Sequence, residues 1–210
     1  MLNSKTILIL APHPDDGELG CGATIARLKD EGKDIYYAVF SPCNKSLPEG
    51  FKENQIYEEL DNALSVFGID KEHVIKFNFP VRDFPQYRQQ ILEELIVLRK
   101  NIHPDLVFVP NSHDVHQDHQ TLHAEAKRAF KHINILGYEL PWNNMQMRTD
   151  FFVKIEQNHL DRKIKALAQY QSQQKRIYFQ RDFIESLAKV RGARAGAQFA
   201  EAFEFINAVV

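Results

Sequence analysis

The chain has 210 residues, 26 of them Lys or Arg and 28 Asp or Glu, for a net charge of −2. That balance lacks the basic excess of a nucleic-acid-binding domain, and two cysteines, Cys21 and Cys43, are too few for a disulfide framework or a four-thiolate zinc site. The length favours one domain over residues 1–210, long enough to bury a core without covalent staples. The start, MLNSKTILILAPHPDD, lacks the apolar region and cleavage site of a signal peptide, and no apolar run approaches a bilayer-spanning length. The expectation is a cytoplasmic protein with no nucleic-acid partner and no integral membrane segment.

Strand-like and helix-like segments alternate. TILILAP is apolar throughout, as expected for a strand buried on both faces. A helix is expected from about Gly22 to Glu31, with Gly32 as its stop. DIYYAVFS (34–41) reads as a second strand. Residues 54–67, from Asn54, put Ile56, Leu60, Ala63, Leu64 and Phe67 at helical spacing before Gly68. HVIKFNF (73–79) is the next strand, 86–101 the next helix, and DLVFVP (105–110) a short apolar strand. Strands are expected again at 133–140 and 150–156, and helices near 159–171 and 180–191. The alternation predicts an α/β, Rossmann-like fold: a mainly parallel sheet with helices on both faces.

In open parallel sheets, ligands bind beyond the carboxyl ends of the strands. Two chemically dense segments fall there. The first is His13-Pro14-Asp15-Asp16, directly after the first strand, with Pro12 and Pro14 stiffening the turn. The plain alternative is that its acids cap the following helix. The glycines behind it suggest a dinucleotide loop, but their spacing, Gly17-x-x-Gly20-x-Gly22, is not G-x-G-x-x-G. The second strand ends in Phe40-Ser41 with no acid for a ribose, and no Gly-Lys-Ser/Thr occurs. The second segment, NSHDVHQDHQTLH (111–123), holds His113, His116, His119 and His123, four of the chain's nine histidines. A helix-capping loop would explain one Asp there, not four imidazoles.

A catalytic zinc keeps three protein ligands and an open position. His13, Asp16 and His119 supply two imidazoles and a carboxylate. Asp15 is then left beside the ion as a base for water. His116 is placed to lean over the substrate, and Asp118 to hydrogen-bond His116 and fix its tautomer. Mixed nitrogen and oxygen ligands also suit Fe2+, Mn2+ or Co2+. The chemistry is hydrolysis. Two other readings stay open: a two-metal phosphoesterase drawing on His113, Asp114 and His123, and a non-catalytic sugar- or nucleotide-binding protein.

HPDDGELGCGAT, followed about a hundred residues later by HQDH, resembles the LmbE-like, or PIG-L, family of metal-dependent N-deacetylases. That family pairs an H-P-D-D-x-E-x-G segment with a later H-x-D-H segment on a Rossmann-like fold. YQSQQ (170–174) and RGARAGAQFAEAF (191–203) look like its closing segments, so the resemblance covers most of the chain. It implies removal of an acetyl group from a small-molecule N-acetyl sugar, with a nucleotide-linked or surface-polysaccharide precursor as the expected form. It implies zinc on His13, Asp16 and His119, Asp15 as base, and His116 at the transition state with Asp118 behind it. Family members often assemble, so a homo-oligomer is expected.

Two departures stand out. Gly17 occupies a position where many members have Glu, and NQIYEELDNAL lacks the Arg that many carry there. Substrate handling then falls to residues such as Lys52 or Arg82. Arg82, Arg88, Trp142 and Arg191 are the candidates for sugar or phosphate contact, with Tyr138 and Arg194 beside them. The ordinary alternatives are packing at the sheet end for Trp142 and Tyr138, and a solvated loop for Arg191 and Arg194.

Overall fold

A computed structural model describes residues 4–46, 50–52 and 55–209. The chain runs β1 (Thr6–Ala11), α1 (Asp16–Asp30), β2 (Asp34–Val39), α2 (Gln55–Phe67), β3 (Val74–Lys76) and α3 (Phe84–Ile102). It continues β4 (Leu106–Pro110), α4 (Gln117–Ala129), β5 (Asn134–Tyr138), β6 (Phe151–Ile155), α5 (Gln157–Leu167), α6 (Arg181–Ala195) and β7 (Phe199–Asn207). Asn54, expected to open the second helix, lies outside the described residues.

The strands form one sheet in the order β3-β2-β1-β4-β5-β7-β6. The first five are parallel to their neighbours. β7 runs antiparallel between β5 and β6. The period of two along β1 sorts its apolar side chains between two layers. Ile7, Ile9 and Ala11 pack with residues of α1, α2, α5 and α6. Leu8 and Leu10 pack with residues of α3 and α4. Each fully buried Ile or Leu contributes roughly 1.5–3 kcal/mol, so a one-residue slip of β1 would leave both layers mispacked. The α/β class and the mainly parallel sheet are therefore as the alternation of segments predicts.

The structure departs from the sequence expectations in three places. First, α1 starts at Asp16 rather than near Gly22, so the glycine-rich segment is helical instead of a loop. A Cβ at Gly20 would lie 2.3 Å from the Tyr138 ring, and one at Gly17 would lie 2.5 Å from the Tyr37 hydroxyl. These glycines let α1 lie against the sheet, and any side chain at position 17 would collide with Tyr37. Second, β3 is shorter than expected, although the Phe77 and Phe79 N–H groups still donate to Val39 and Phe40 carbonyls. Third, β7 is a strand where none is expected, because Glu201 and Glu204 interrupt its apolar pattern.

Both glutamates are buried and used. α1 breaks from helical geometry at Cys21 (φ −143°, ψ 21°). The Glu201 carboxylate accepts from the N–H groups of Ala23 (3.2 Å) and Thr24 (2.6 Å), just past that break. Lys163 Nζ, from α5, donates to Glu201 at 2.6 Å and to the Leu19 carbonyl at 2.7 Å. Removing one member of such a pair strands the other charge in the interior. Glu201→Ala should therefore cost about 3–5 kcal/mol in urea unfolding, and Glu201→Ala combined with Lys163→Met should recover much of it. A single-variant loss below about 1 kcal/mol would mean that the pair is solvated.

Candidate metal centre

β1 and β4 are neighbours at the point where the sheet order reverses, which opens a crevice beyond their carboxyl ends. The His13–Asp16 turn leaves β1 into that crevice, and the Asn111–His119 segment leaves β4 beside it. Asp15 precedes α1 with φ +88°, a left-handed conformation that costs a non-glycine residue about 1–3 kcal/mol. Its N–H donates to the Tyr170 hydroxyl oxygen at 3.1 Å. His116 caps α4, its Nδ1 accepting from the Asp118 N–H at 3.1 Å.

Three donor atoms converge. His13 Nδ1 lies 3.1 Å from His119 Nε2, and Asp16 Oδ2 lies 3.2 Å from each of them. Ligands held tetrahedrally at 2.0–2.2 Å stand about 3.3–3.6 Å apart, so the triangle fits one divalent ion with little adjustment. His116 brings a third imidazole: His13, His116 and His119 place ligand atoms within 4.8 Å of one another. Two donor sets thus share His13 and His119. The Asp16 set is the tighter, because its oxygen is already in contact with both rings.

Carboxylates stand behind both shared imidazoles. His13 Nε2 lies 2.9 Å from Asp118 Oδ2, and His119 Nδ1 lies 2.8 Å from Asp114 Oδ2. Such outer carboxylates orient ligand rings and raise their basicity. The expected hydrogen bond from Asp118 to His116 is made by the Asp118 backbone N–H, while its carboxylate serves His13. That carboxylate also accepts from the Arg82 N–H (2.7 Å) and the Phe84 N–H (3.2 Å). Asp114, considered as a ligand for a second ion, is the partner of His119. His123 Nδ1 donates to the Pro110 carbonyl at 2.8 Å, and His113 is exposed. Among the described residues, the groups of three metal-binding side chains all share His13 and His119, and neither His113, Asp114 nor His123 joins them to make a second site.

The charges follow from this packing. Burial pushes the Asp16 carboxyl up, but the charge and hydrogen bonds of His119 and His13 overcome it and hold it well below the ordinary range. Burial pushes His119 down, yet Asp16 and Asp114 outweigh it and lift the imidazolium to about 10. His116 is lowered to about 4 by burial and by the charges of His119 and His13. It is therefore neutral at pH 7, and with Nδ1 accepting, its proton sits on Nε2. Burial, with Asp16 and Glu18 nearby, raises Asp15 well above the usual carboxylate range. Glu18 itself is fully buried between the hydroxyls of Tyr37 and Tyr170, and burial pushes it up to about 7 against those hydrogen bonds. The chain Asp15–Tyr170–Glu18 is not among the sequence expectations, though YQSQQ and the acid of the first motif are its visible signals.

The centre opens into a cavity of 290 Å³ whose lining includes Asp15, His116, Arg82, Trp142, Arg176 and Tyr178. Of the four sequence candidates for substrate contact, Arg82 and Trp142 reach it. Arg82 does so with φ +71°. The Trp142 ring stacks on Tyr178 at 3.8 Å and 8°. Arg88 instead pairs with Glu125 (Nε–Oε1 2.7 Å) and lies outside the lining. Arg191 is engaged by Glu139 (Nε–Oε2 3.0 Å) and borders a separate crevice behind Trp142. Tyr138 is buried, its hydroxyl donating to the Leu10 carbonyl. Gln173, within YQSQQ, lines the cavity too, as do Arg176 and Tyr178, which no motif singles out.

Residues 8–130 match the family described as "PIG-L: GlcNAc-PI de-N-acetylase". The chain is 31% identical over 174 residues to the "Uncharacterized deacetylase YaiS" of Escherichia coli (strain K12), covering 80% of this chain and 91% of that one. It superposes on the conserved protein TT1542 from Thermus thermophilus with a TM-score of 0.82 at 26% identity, over 97% of this chain and 96% of that one. The fold also matches N,N'-diacetylchitobiose deacetylase from Pyrococcus horikoshii, with a TM-score of 0.79 at 20% identity over 98% and 85% of the two chains.

An ion held at this triangle would have to displace the proton that His119 holds below about pH 10. Calorimetry at pH 7 in buffers of different ionisation enthalpy should show at least one proton released per divalent ion bound. Apparent affinity should rise roughly tenfold per pH unit for each such proton; a pH-independent affinity between pH 6 and 8 would contradict this assignment. Asp114→Asn should weaken the ion about 10- to 100-fold through His119 alone.

Proposed function

Because the chain belongs to the PIG-L family of metal-dependent de-N-acetylases, we propose that it hydrolyses the acetamide of an N-acetylated amino sugar with a zinc ion held by His13, Asp16 and His119. The supporting observation is the 3.1–3.2 Å triangle of donor atoms in the same cavity as the Asp15 side chain. Bound there, a divalent ion would polarise the acetyl carbonyl and lower the pKa of a water towards about 7. The remaining work falls to the chain itself.

Asp15 takes a proton from the water as its oxygen bonds to the carbonyl carbon. The proton it takes up is then at hand for the leaving amine. The strained backbone of Asp15, held by Tyr170, fixes where the carboxylate points. His116 donates from Nε2 to the carbonyl oxygen as negative charge develops, its tautomer set by the Asp118 N–H. The carbon–nitrogen bond then breaks, and the proton held by Asp15 passes to the departing amine. Asp118 and Asp114 hold the two ligand imidazoles at their positions. The Trp142–Tyr178 stack offers an aromatic wall for a sugar ring.

Acetate release should be assayed over free and nucleotide-linked N-acetyl sugars with zinc, and separately with iron, manganese or cobalt. Asp15→Asn should keep full metal content and lose about 10²- to 10⁴-fold in kcat; unchanged turnover would remove Asp15 as the base. Tyr170→Phe keeps the ring but leaves the Asp15 N–H without its acceptor. Its kcat should fall about 10-fold, the cost of one hydrogen bond, with metal content unchanged.

A further inference from the structure

The segment between α5 and α6 is unusually well fixed for a connection. Tyr170 is fully buried and bonded to Glu18. Two residues on, the Ser172 N–H and hydroxyl both donate to the buried Glu59 of α2, at 3.0 and 2.6 Å. Gln174 Nε2 donates to the carbonyls of Leu167 and Tyr170, and the Arg176 and Phe179 N–H groups close successive turns onto Gln173 and Arg176. The outer end is held by Tyr178 stacking on Trp142. What this framework delivers to the cavity is Arg176.

Arg176 lines the same cavity as Asp15 and Asp16, yet among the described residues it forms no ion pair with either or with any other carboxylate. One nitrogen, Nη1, donates to the Tyr178 hydroxyl. A guanidinium has five N–H donors in a planar fork. Arg88 and Arg191, by contrast, commit theirs to Glu125 and Glu139. Arg176 thus has guanidinium N–H groups not paired with a carboxylate, on a cavity wall it shares with an aromatic stack.

Building on the deacetylase reading, we infer that Arg176 is a specificity residue that binds an oxyanion of the substrate, a phosphate or a carboxylate attached to the N-acetyl sugar. The planar fork suits bidentate recognition of either group. Glu59 of α2 anchors, through Ser172, the loop that carries this arginine. Arg82 borders the same cavity.

The test compares the wild-type chain with Arg176→Ala and Arg176→Lys. Uridine diphosphate and glucuronic acid are titrated by calorimetry into metal-free protein, which separates the two sources of the oxyanion and needs no turnover. The preferred probe should lose about 10- to 100-fold in affinity in Arg176→Ala, as for a lost hydrogen bond to a charged group. Arg176→Lys should recover part of it. In parallel, KM for a uridine-diphosphate-linked N-acetyl sugar and for a uronate-containing N-acetyl disaccharide is compared with that for neutral N,N'-diacetylchitobiose. Arg176→Ala should raise KM for the anionic substrate with kcat within about twofold and leave the neutral one unchanged. Equal effects on neutral and anionic substrates, or undiminished binding of both probes, would overturn the inference while leaving the deacetylase reading intact. Arg176-dependent binding without acetate release from any sugar would uphold the anion site and count against the deacetylase.

Discussion

Everything at this site depends on one buried contact, the carboxylate of Asp16 meeting two imidazoles from distant parts of the chain. Its Oδ2 lies 3.2 Å from both His13 and His119. An unpaired carboxylate at that depth would be prohibitively costly. The contact can form because β1 and β4 are adjacent strands that release their loops at the same edge. The fold brings the residues together, and the outer carboxylates Asp114 and Asp118 then fix which ring atoms face inward. A divalent ion bound here would replace protons in this arrangement rather than create it.

The same reliance on buried polar contacts recurs around the cavity. Of the four non-glycine residues with positive φ among the described residues, Asp15, Cys43 and Arg82 border it, and the fourth, His103, ends α3. Left-handed backbone at such positions persists only where the surroundings over-determine it. At Asp15 the surroundings are visible: Tyr170 takes its N–H, and Glu18 takes the Tyr170 proton. At Arg82 the Asp118 carboxylate accepts the backbone N–H. Rigidity here is supplied by buried polar groups, and the apolar layers supply the platform.

Much of this is legible in the sequence because the signals are local. The apolar run of β1, the spacing within α2 and the density of histidines in 111–123 each report on neighbouring residues. What escapes is long-range. Asp118 and His116 are close in sequence, so their side chains are expected to pair; in three dimensions the imidazole that meets that carboxylate is His13. The strand β7 is hidden because Glu201 and Glu204 look like surface residues until their partners on α1, α5 and the β4 loop are known. Arg88 and Arg191 look available, since neither Glu125 nor Glu139 is near them in sequence. Arg176 follows YQSQQ closely, but no periodicity says that the loop turns into the cavity.

The last strand has a consequence for the order in which the protein can become functional. Glu201 ties down the broken helix that carries the first motif, and Glu204 accepts both the N–H and hydroxyl of Ser112 at the start of the second. Both halves of the centre therefore lean on residues 199–207, which the ribosome makes well after either motif. A nascent chain that has emerged only through α6 carries every proposed ligand but not the strand that braces them. In such a chain the N–H groups past the break in α1, and the N–H and hydroxyl of Ser112, have yet to meet the carboxylates that accept from them.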